Sequence, residues 1–249
     1  MPLTLATDLD GTFAGGPRSA RDRLQRLLAA RSGGLLIYVT GRSVPAARAL
    51  MAEAGLPHPD VLIADVGTTV VDGRSFAPIG AIEAELAGRW PGGDAVRARL
   101  AGYPAVVEQS VRAPRRVSYE RVNGEFEAVV SGVRDRLAGL DVHVIGSAGV
   151  YVDVLPRGID KGTTLRRVLR WLGRPEAHVV VAGDTLNDLA LFETGLRGIA
   201  VGNSEPALVA RIRQRKGVFL ATGPGAQGIL EGLAHFGWID EGVEVGDGE

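Results

Sequence analysis

The chain has 249 residues, of which 45% are apolar and 23% are charged, and its formal net charge is −1. This length can form one large domain or two modest ones with an ample core. The near-zero charge argues against binding to nucleic acid or to an anionic membrane surface, and the absence of cysteine excludes disulfides and cysteine nucleophiles. No stretch approaches the roughly 18 uninterrupted apolar residues of a spanning helix, and the first residues lack the pattern of a secretory signal. We therefore expect a cytoplasmic protein with neither membrane nor nucleic acid as a partner.

The first part of the chain alternates apolar strands with amphipathic helices, and Ser19 and Ser43 are placed to begin the two helices. The predicted elements are, in order, a strand over 3–7, a helix over 20–30, a strand over 35–39, a helix over 43–53 and a strand over 61–66. This β-α-β-α-β order indicates parallel strands joined by right-handed crossovers, as in a doubly wound α/β sheet. Ligands of such sheets bind at the carboxyl ends of the strands.

The regular alternation stops near residue 79. The next elements are a helical stretch over 78–102 interrupted at 91–93, strands near 104–108 and 116–121, a helix near 124–138, and strands at 141–146 and 150–155. Hairpin signals such as Gly146–Gly149 favour antiparallel pairing here. We predict that 79–157 form an inserted α+β domain, and that 1–78 and 158–249 form the core.

The doubly wound pattern then resumes. The predicted elements are a helix from Lys161 to about 172, a strand over 178–184, a helix from Asp184, a strand over 198–202, a helix over 205–213, a strand over 218–221 and a helix over 228–236. The acidic, glycine-rich tail 240–249 is expected to be mobile.

The stretch TLATDLDGTF at 4–13 places Asp8 and Asp10 at the end of a buried strand. Side chains alternate along a strand, so both carboxylates are expected on one side, where they repel unless a cation, a proton or a substrate group lies between them. Gly11 permits a turn there. The alternative interpretation is an ordinary Asp-Gly turn after a strand.

A second acidic group follows the strand at 178–184. Asp184, Asn187 and Asp188 have the spacing of one helix face. Asp is also common at helix starts, because it caps the helix and suits its dipole. If both strand ends converge, four carboxylates share one crevice, and such a site requires a hard divalent cation, for which Mg²⁺ is the natural choice.

Thr40 and Lys161 add two further groups. Thr40 offers a hydroxyl beside a helix N-terminus, although it can equally be a displaced N-cap. Lys161, one of only two lysines among 28 basic residues, can neutralise an anion or simply be exposed. A metal, a hydroxyl, an ammonium and a carboxylate nucleophile together are what phosphoryl transfer needs.

These segments, DLDGT at 8–12, Thr40-Gly41-Arg42, Lys161 and GDTLND at 183–188, resemble the four ordered motifs of the haloacid dehalogenase superfamily. The resemblance implies that Asp8 is a nucleophile forming an aspartyl-phosphate and that Asp10 is the general acid/base. Thr40 and Lys161 would hold the phosphoryl group. Mg²⁺ would be bound by Asp8, the Asp10 backbone carbonyl and Asp184, with Asn187 and Asp188 in support. The remaining expected phosphate or substrate contacts are Gly11, Thr12, Gly41, Arg42 and Asn187.

The positions of these motifs resemble the branch with a large α+β cap, because only one helix fits between Asp10 and Thr40 whereas about 120 residues separate Thr40 from Lys161. Local segments resemble its sucrose-phosphate phosphatase-like family, namely VTGRS at 39–43, VSYE at 117–120, VDVLPRGIDKG at 152–162, GIAVGNSEPAL at 198–208 and GILEGLAHFGW at 228–238. The resemblance implies a phosphatase for sucrose-6-phosphate or for mannosylfructose-phosphate, glucosylglycerol-phosphate or mannosyl-3-phosphoglycerate.

Other activities are compatible with parts of the pattern. A mutase or phosphotransferase uses the same motifs. A receiver-type signalling domain also combines acidic residues, Mg²⁺, Thr and Lys, but the paired Asp8 and Asp10 and the insertion argue against it.

Substrate selection is expected to lie in the insertion. Arg116 and Tyr119, with Arg112 and Arg115 nearby, are candidates for contacts to sugar hydroxyls, and the alternative is a solvated basic edge. The sequence Gly223-Pro-Gly-Ala-Gln-Gly matches a dinucleotide-binding pattern, but too few residues follow it, so a loop is expected. The predicted partner is a small sugar phosphate, and the predicted assembly is a monomer or small homo-oligomer.

Overall fold

The computed structural model describes residues 2–30, 32–88 and 90–239, so the predicted mobile tail at 240–249 lies outside the described residues. The elements of the first part are β1 (Thr4–Thr7), α1 (Arg18–Ala29), β2 (Leu35–Val39), α2 (Val44–Ala54), β3 (Val61–Ala64) and β4 (Thr69–Asp72). The elements of the middle part are α3 (Gly80–Ala87), α4 (Gly93–Leu100), β5 (Val106–Glu108), β6 (Val117–Arg121), α5 (Phe126–Arg136), β7 (Val142–Ser147) and β8 (Tyr151–Pro156). The last part contains α6 (Lys161–Trp171), β9 (Val179–Gly183), α7 (Leu189–Glu193), β10 (Arg197–Ala200), α8 (Pro206–Ile212), β11 (Val218–Leu220) and α9 (Ala226–His235).

The larger sheet has seven strands in the order β11-β10-β9-β1-β2-β3-β4. Its strands pair in parallel except for β4, which runs antiparallel to β3. Helices cover both faces, and the buried apolar residues form a separate cluster on each side of the sheet. The predicted doubly wound α/β fold is confirmed, and β1 lies at its centre because the chain winds outward from it in both directions.

Strand β4 and the turn before it differ from the prediction. The strand expected over 61–66 ends at Ala64, and Asp65–Gly67 form a tight turn in which Asp65 and Val66 have φ values of +54° and +58°. Non-glycine residues rarely adopt this left-handed conformation, so the local sequence carries no signal for the reversal. The reversal brings residues 69–72 back along β3 as an edge strand.

The boundaries of two predicted helices also differ. Helix α1 begins at Arg18 after Pro17, so Ser19 lies inside its first turn and does not cap it. The helix predicted from Asp184 begins only at Leu189, because Leu186–Asp188 form a tight 3₁₀ turn after Thr185. From that turn Asp188 reaches back to accept the backbone N–H groups of Asp184 and Thr185.

The smaller sheet is antiparallel, with the order β5-β6-β8-β7. One of its faces packs against α4 and α5 in a separate apolar cluster. The alternation of β6 places Val117 and Tyr119 in that cluster and Ser118 on the opposite face. Helix α3 behaves differently, because its Ile82 and Leu86 join the core of the larger sheet.

Among the described residues, we find no helix with the length and apolar character that a bilayer span requires.

Helix α6 crosses α7 so closely that a glycine is needed at the contact. A Cβ on Gly162 would lie 2.0 Å from the carbonyl oxygen of Ala190. We expect Gly162→Ala to lower the free energy of unfolding by about 2 kcal/mol or more, because this overlap outweighs the gain in helix propensity. Urea denaturation measures the change. Gly80→Ala in α3, where a Cβ meets open space, is the matched control and should alter stability by less than about 1 kcal/mol; equal values for the two variants would contradict the packing argument.

Candidate active site

Three neighbouring strands bring polar residues to one edge of the larger sheet. Asp8 follows β1, Thr40 follows β2 and Asp184 follows β9. Strand β1 lies between β2 and β9, and all three are parallel. Because parallel strands end at the same edge, the three residues lie side by side, where ligands of doubly wound sheets bind.

The loop after β1 places Asp8 and Asp10 in different surroundings. Leu9–Phe13 form one wide turn, in which the N–H of Phe13 donates to the carbonyl of Asp8 at 3.1 Å. Asp8 is only 5% exposed, whereas the side chain of Asp10 is 50% exposed. The strand ends at Thr7, so side-chain alternation does not extend to Asp10. Among the residues that the structure describes, the buried acid cluster consists of Asp8, Asp184 and Asp188, not of four carboxylates.

Gly11 is required by the approach of two loops. Its φ is +69°, and a Cβ on it would lie 2.2 Å from Asp184 Oδ2. The amide of Asn203 donates to the Gly11 carbonyl at 3.0 Å and to Asp184 Oδ2 at 3.3 Å. A side chain at position 11 would therefore separate the first loop from Asp184.

Lys161 is the cation around which the acidic residues gather. Its Nζ donates to Asp8 Oδ1 at 2.8 Å, to Asp188 Oδ1 at 2.6 Å and to Asn187 Oδ1 at 2.6 Å. All three hydrogens of the ammonium group are thereby used, and the side chain is fully buried. Lys161 is the first residue of α6, whose N-terminus is held by a capping box between Asp160 and Thr163. The cap fixes the backbone from which the lysine extends to β1.

Burial and charge act against each other in this group. Burial raises the pKa of Asp8 well above its ordinary value; Lys161 opposes this rise, and Asp188 and Asp184 add to it. Burial by itself lowers the pKa of Lys161, but the carboxylates of Asp188 and Asp8 outweigh it, so the pKa is raised and the ammonium stays charged. Burial also raises the pKa of Asp184 to about 7, with Asp188 adding to the rise and the Thr12 hydrogen bond opposing it.

The arrangement fits a hard divalent cation. Asp8, Asp184 and Asp188 place one carboxylate oxygen each within 4.8 Å of the others. Three acidic side chains and one ammonium share this buried space, where burial raises the pKa values of Asp8 and Asp184 and the neighbouring acids add to the rise. The donors are all oxygens, which such cations prefer.

Neighbouring groups orient the two acids of the loop after β9. Thr12 donates through Oγ1 to Asp184 Oδ1 at 2.8 Å. Asp188 accepts the backbone N–H groups of Asp184 at 3.0 Å and Thr185 at 3.1 Å through Oδ2, which leaves Oδ1 for Lys161. Asn203, which the sequence analysis did not single out, is positioned by the N–H of Gly225 at 2.8 Å. Its signal was its place in the segment GIAVGNSEPAL.

Arg42 holds Asp10 at the mouth of the site. Its Nε and Nη2 donate to the two oxygens of Asp10, both at 2.7 Å. The Thr40 hydroxyl accepts the Arg42 N–H at 3.1 Å, and Thr40 is fully buried. In this arrangement Thr40 shapes the turn that carries Arg42, and Arg42 faces a carboxylate rather than open space.

A cleft of about 450 Å³ separates this edge from the smaller sheet. Residues from both sides line it, including Asp8, Asp10, Arg42, Arg116, Tyr151 and Asp153. Gly41 and Asn187 line it as well. The cleft is therefore the space in which a ligand would contact the acidic loops and the smaller sheet together.

Arg116 links the two sides of the cleft. Its Nη1 donates to the Gly41 carbonyl at 2.7 Å, and its Nη2 donates to Asp65 at 3.1 Å. Asp153, held by the Ser118 hydroxyl at 2.6 Å, lies 3.5 Å from Nη1. Arg116 is 7% exposed, and its buried Nε has no partner among the described residues.

Two candidates from the smaller sheet have other surroundings. Tyr119 is 5% exposed and packs in the apolar cluster behind the sheet, so the prediction that it contacts substrate is wrong. The reason is strand alternation, which turns Ser118, not Tyr119, toward Asp153 and the cleft. Arg115 is bound to Glu83 of α3 and to the Thr68 carbonyl. Tyr151 and Asp153, which line the cleft, were missed because nothing in the β8 segment distinguishes the cleft face.

Replacement of the buried Lys161 removes the ammonium group that bonds Asp8 and Asp188. We expect Lys161→Met to lower the free energy of unfolding by about 3–5 kcal/mol, because Asp8 and Asp188 lose the charge that compensates their burial. Urea denaturation at neutral pH is the measurement. The other lysine provides a matched control, since Lys216 is exposed and Lys216→Met should change stability by no more than about 0.5 kcal/mol. Similar small effects for both would show that Lys161 does not compensate these acids.

The chain is similar to known proteins over most of its length. Residues 1–237 match the family described as sucrose-6F-phosphate phosphohydrolase. The chain is 38% identical over 242 residues to the glucosylglycerol-phosphate synthase of Pseudomonas anguilliseptica, covering 95% of this chain but only 31% of that protein. It is 32% identical over 244 residues to the mannosylfructose-phosphate phosphatase of Agrobacterium fabrum, covering 94% of this chain and 96% of that protein.

A solved structure supports the same relationship. The sucrose-phosphatase from Synechocystis, in complex with sucrose and phosphate, superposes with a TM-score of 0.88 at 32% identity and covers 95% of this chain and 99% of that one. Similarity therefore extends over nearly the whole length in both sequence and fold. The chain belongs to the sucrose-6F-phosphate phosphohydrolase family, within the haloacid dehalogenase superfamily.

Proposed function

We propose that this chain is a phosphatase that removes phosphate from a phosphorylated glycoside, with Asp8 as the nucleophile. The observation that carries the proposal is the Asp8 carboxylate, held by a fully buried lysine at the floor of a cleft that the smaller sheet also lines. A fixed, desolvated carboxylate beside a cation is suited to attack phosphorus and to stabilise the charge on the phosphoryl oxygens.

The proposed reaction has two steps. A carboxylate oxygen of Asp8 forms a bond to phosphorus while the bond from phosphorus to the sugar oxygen breaks, and Asp10 gives its proton to the leaving oxygen. Water then attacks the aspartyl-phosphate, Asp10 takes up a proton from that water, and the bond between Asp8 and phosphorus breaks to release phosphate. Lys161 and Thr40 are proposed to hold the phosphoryl oxygens, with Asn187 orienting Lys161. For Lys161 this requires one of its three present hydrogen bonds to be exchanged for a bond to a phosphoryl oxygen.

The pairing of Asp10 with Arg42 sets a condition on this role. Arg42 engages both oxygens of Asp10, so proton transfer requires at least one of these bonds to be released. We propose that an oxygen of the bound substrate takes over that donor of Arg42. This exchange would make Asp10 available only when the cleft is filled.

Mg²⁺ is the proposed cofactor. Asp8, the backbone carbonyl of Asp10 and Asp184 would hold it, with Asp188 in support. When bound, it would supply positive charge for the phosphoryl oxygens. The three buried carboxyl groups, each with an oxygen within 4.8 Å of the others, support this assignment.

The proposed substrate class rests on the relatives. Their names refer to sucrose-phosphate, mannosylfructose-phosphate and glucosylglycerol-phosphate, which share a glycosidic bond and a phosphate monoester. We propose that residues 79–157 form the cap that selects the glycoside, and that Arg116, which lines the cleft, contacts it. The chain spans 31% of the Pseudomonas synthase, so the activity of that larger protein is not transferred.

Phosphate release from a panel of compounds tests the proposal. The panel contains sucrose-6-phosphate, mannosylfructose-phosphate, glucosylglycerol-phosphate, mannosyl-3-phosphoglycerate and glucose 6-phosphate, each with and without Mg²⁺. We expect Mg²⁺-dependent release from at least one of the four glycoside phosphates. Absence of release from every glycoside phosphate in the presence of Mg²⁺ would overturn the proposal.

Asp8→Asn should reduce turnover by about 10³-fold or more while leaving the fold intact, because it removes the attacking oxygen but keeps the volume. Turnover and far-UV circular dichroism are the measurements. Asp22→Asn, an exposed change on α1, is the control and should retain full activity. A near-normal rate in Asp8→Asn would exclude Asp8 as the nucleophile.

Mg²⁺ binding should weaken as the pH falls. The pKa of metal-free Asp184 is raised to about 7 by burial, so below that pH the cation must displace a proton. We expect the apparent dissociation constant to rise by about tenfold or more per pH unit below 7, because Asp8, whose pKa is also raised, is a second ligand that must lose its proton. Titration calorimetry from pH 5.5 to 8 measures the slope, which Asp184→Asn should reduce. An affinity that is independent of pH would contradict the assignment of Asp184 as a ligand.

A further inference from the structure

Glu205 lies outside the acid cluster and joins three parts of the chain. Its carboxylate accepts the N–H of Leu186 through Oε2 at 3.0 Å and the N–H of Ala148 through Oε1 at 2.9 Å. Its own N–H donates to the Asp184 carbonyl at 2.8 Å. Although Glu205 immediately precedes α8, its side chain does not cap that helix. The side chain therefore connects two loops, one that contains Ala148 and one that contains Leu186.

One of these loops belongs to the catalytic machinery. Leu186 begins the tight turn Leu186–Asp188, whose Asn187 and Asp188 both accept hydrogen bonds from Lys161. The bond from Leu186 to Glu205 anchors the start of that turn. Lys161 and the backbone N–H groups of Asp184 and Thr185 also hold Asp188 in that turn, so the turn keeps its place beside Asp8 and is the fixed point to which Glu205 joins the other loop.

The other loop belongs to the smaller sheet. Ala148 lies in the β7–β8 hairpin, and Ser147, Ala148 and Tyr151 line the cleft. Ala148 has a φ of +53°, a left-handed conformation that is strained for alanine and persists only where neighbouring contacts hold it. The bond from the Ala148 N–H to Glu205 is such a contact.

Both oxygens of the carboxylate are needed. An ionised carboxylate is an acceptor at each oxygen, so one side chain can receive two N–H groups from different loops. The amide of glutamine has nearly the same shape but presents one acceptor and one donor. A glutamine side chain at position 205 can therefore accept only one of the two backbone N–H groups. Its own NH₂ group would face the other N–H, and two donors form no hydrogen bond.

We propose that Glu205 is a positioning residue that holds the β7–β8 hairpin in a fixed relation to the turn Leu186–Asp188. The Glu205 carboxylate thereby fixes the distance between the β7–β8 hairpin, which faces the sugar, and the turn Leu186–Asp188, which faces the phosphate. The consequence for catalysis rests on the proposed function. Turnover of a substrate that contacts both the hairpin and the turn depends on Glu205. Turnover of a small phosphate monoester that stays near Asp8 does not.

The test compares two substrates in the wild type and in Glu205→Gln. We expect kcat/KM for the best glycoside phosphate of the panel to fall about tenfold, mainly through KM, because a charge-assisted hydrogen bond is lost. For p-nitrophenyl phosphate we expect less than about a twofold change. Asp72→Asn is the matched control, because Asp72 accepts the N–H groups of Arg74 and Ser75 in an exposed turn. It should leave both substrates unaffected.

A second measurement does not depend on substrate. Amide hydrogen exchange, resolved by residue, should accelerate about tenfold or more at Ala148 or Leu186 in Glu205→Gln, and should stay unchanged at both in Asp72→Asn. Unchanged exchange at both amides, or an equal loss of kcat/KM for the two substrates, would overturn the positioning role. If the wild type hydrolyses none of the glycoside phosphates, the proposed function fails, and the exchange result alone then decides whether Glu205 holds the two loops together.

Discussion

The arrangement of this site depends on one buried ammonium group. Lys161 extends from the first residue of α6 to the end of β1 and there contacts Asp8, Asn187 and Asp188. Without this cation, Asp8 and Asp188 would be buried carboxylates with no compensating charge, which is strongly unfavourable. The same contacts place the β1 loop and the turn after β9 around one point. Charge compensation and positioning of the site are therefore the same interaction.

That compensation is incomplete, and this gives the site its chemistry. Three clustered carboxylates face one ammonium, and burial keeps the pKa of Asp8 and Asp184 above their ordinary values. A solvated surface would relax such an imbalance with water and salt ions, whereas this pocket cannot. An added cation would relieve the repulsion among these three acidic side chains.

The smaller sheet is connected to this edge by a few polar contacts. Arg116 bonds the Gly41 carbonyl and Asp65, and Glu205 bonds Ala148 and Leu186. Both connections reach residues adjacent to predicted catalytic groups. The relation between the two walls of the cleft is consequently set by directional hydrogen bonds, which fix an orientation more closely than apolar contact does.

Much of this could be derived from the amino-acid sequence. Alternating apolar segments determined the doubly wound sheet, because strand and helix periods differ and parallel strands require crossovers. The positions of Asp8, Thr40 and Asp184 at strand ends followed from the same pattern, since neighbouring parallel strands end at one edge.

The tertiary structure decided the contacts between residues that are far apart in the chain. The pairing of Asp10 with Arg42, the burial of Tyr119, the role of Asn203 and the two bonds of Glu205 depend on packing and on left-handed turns at Asp65, Val66 and Ala148. No local pattern encodes these features, because each exists only when distant segments meet.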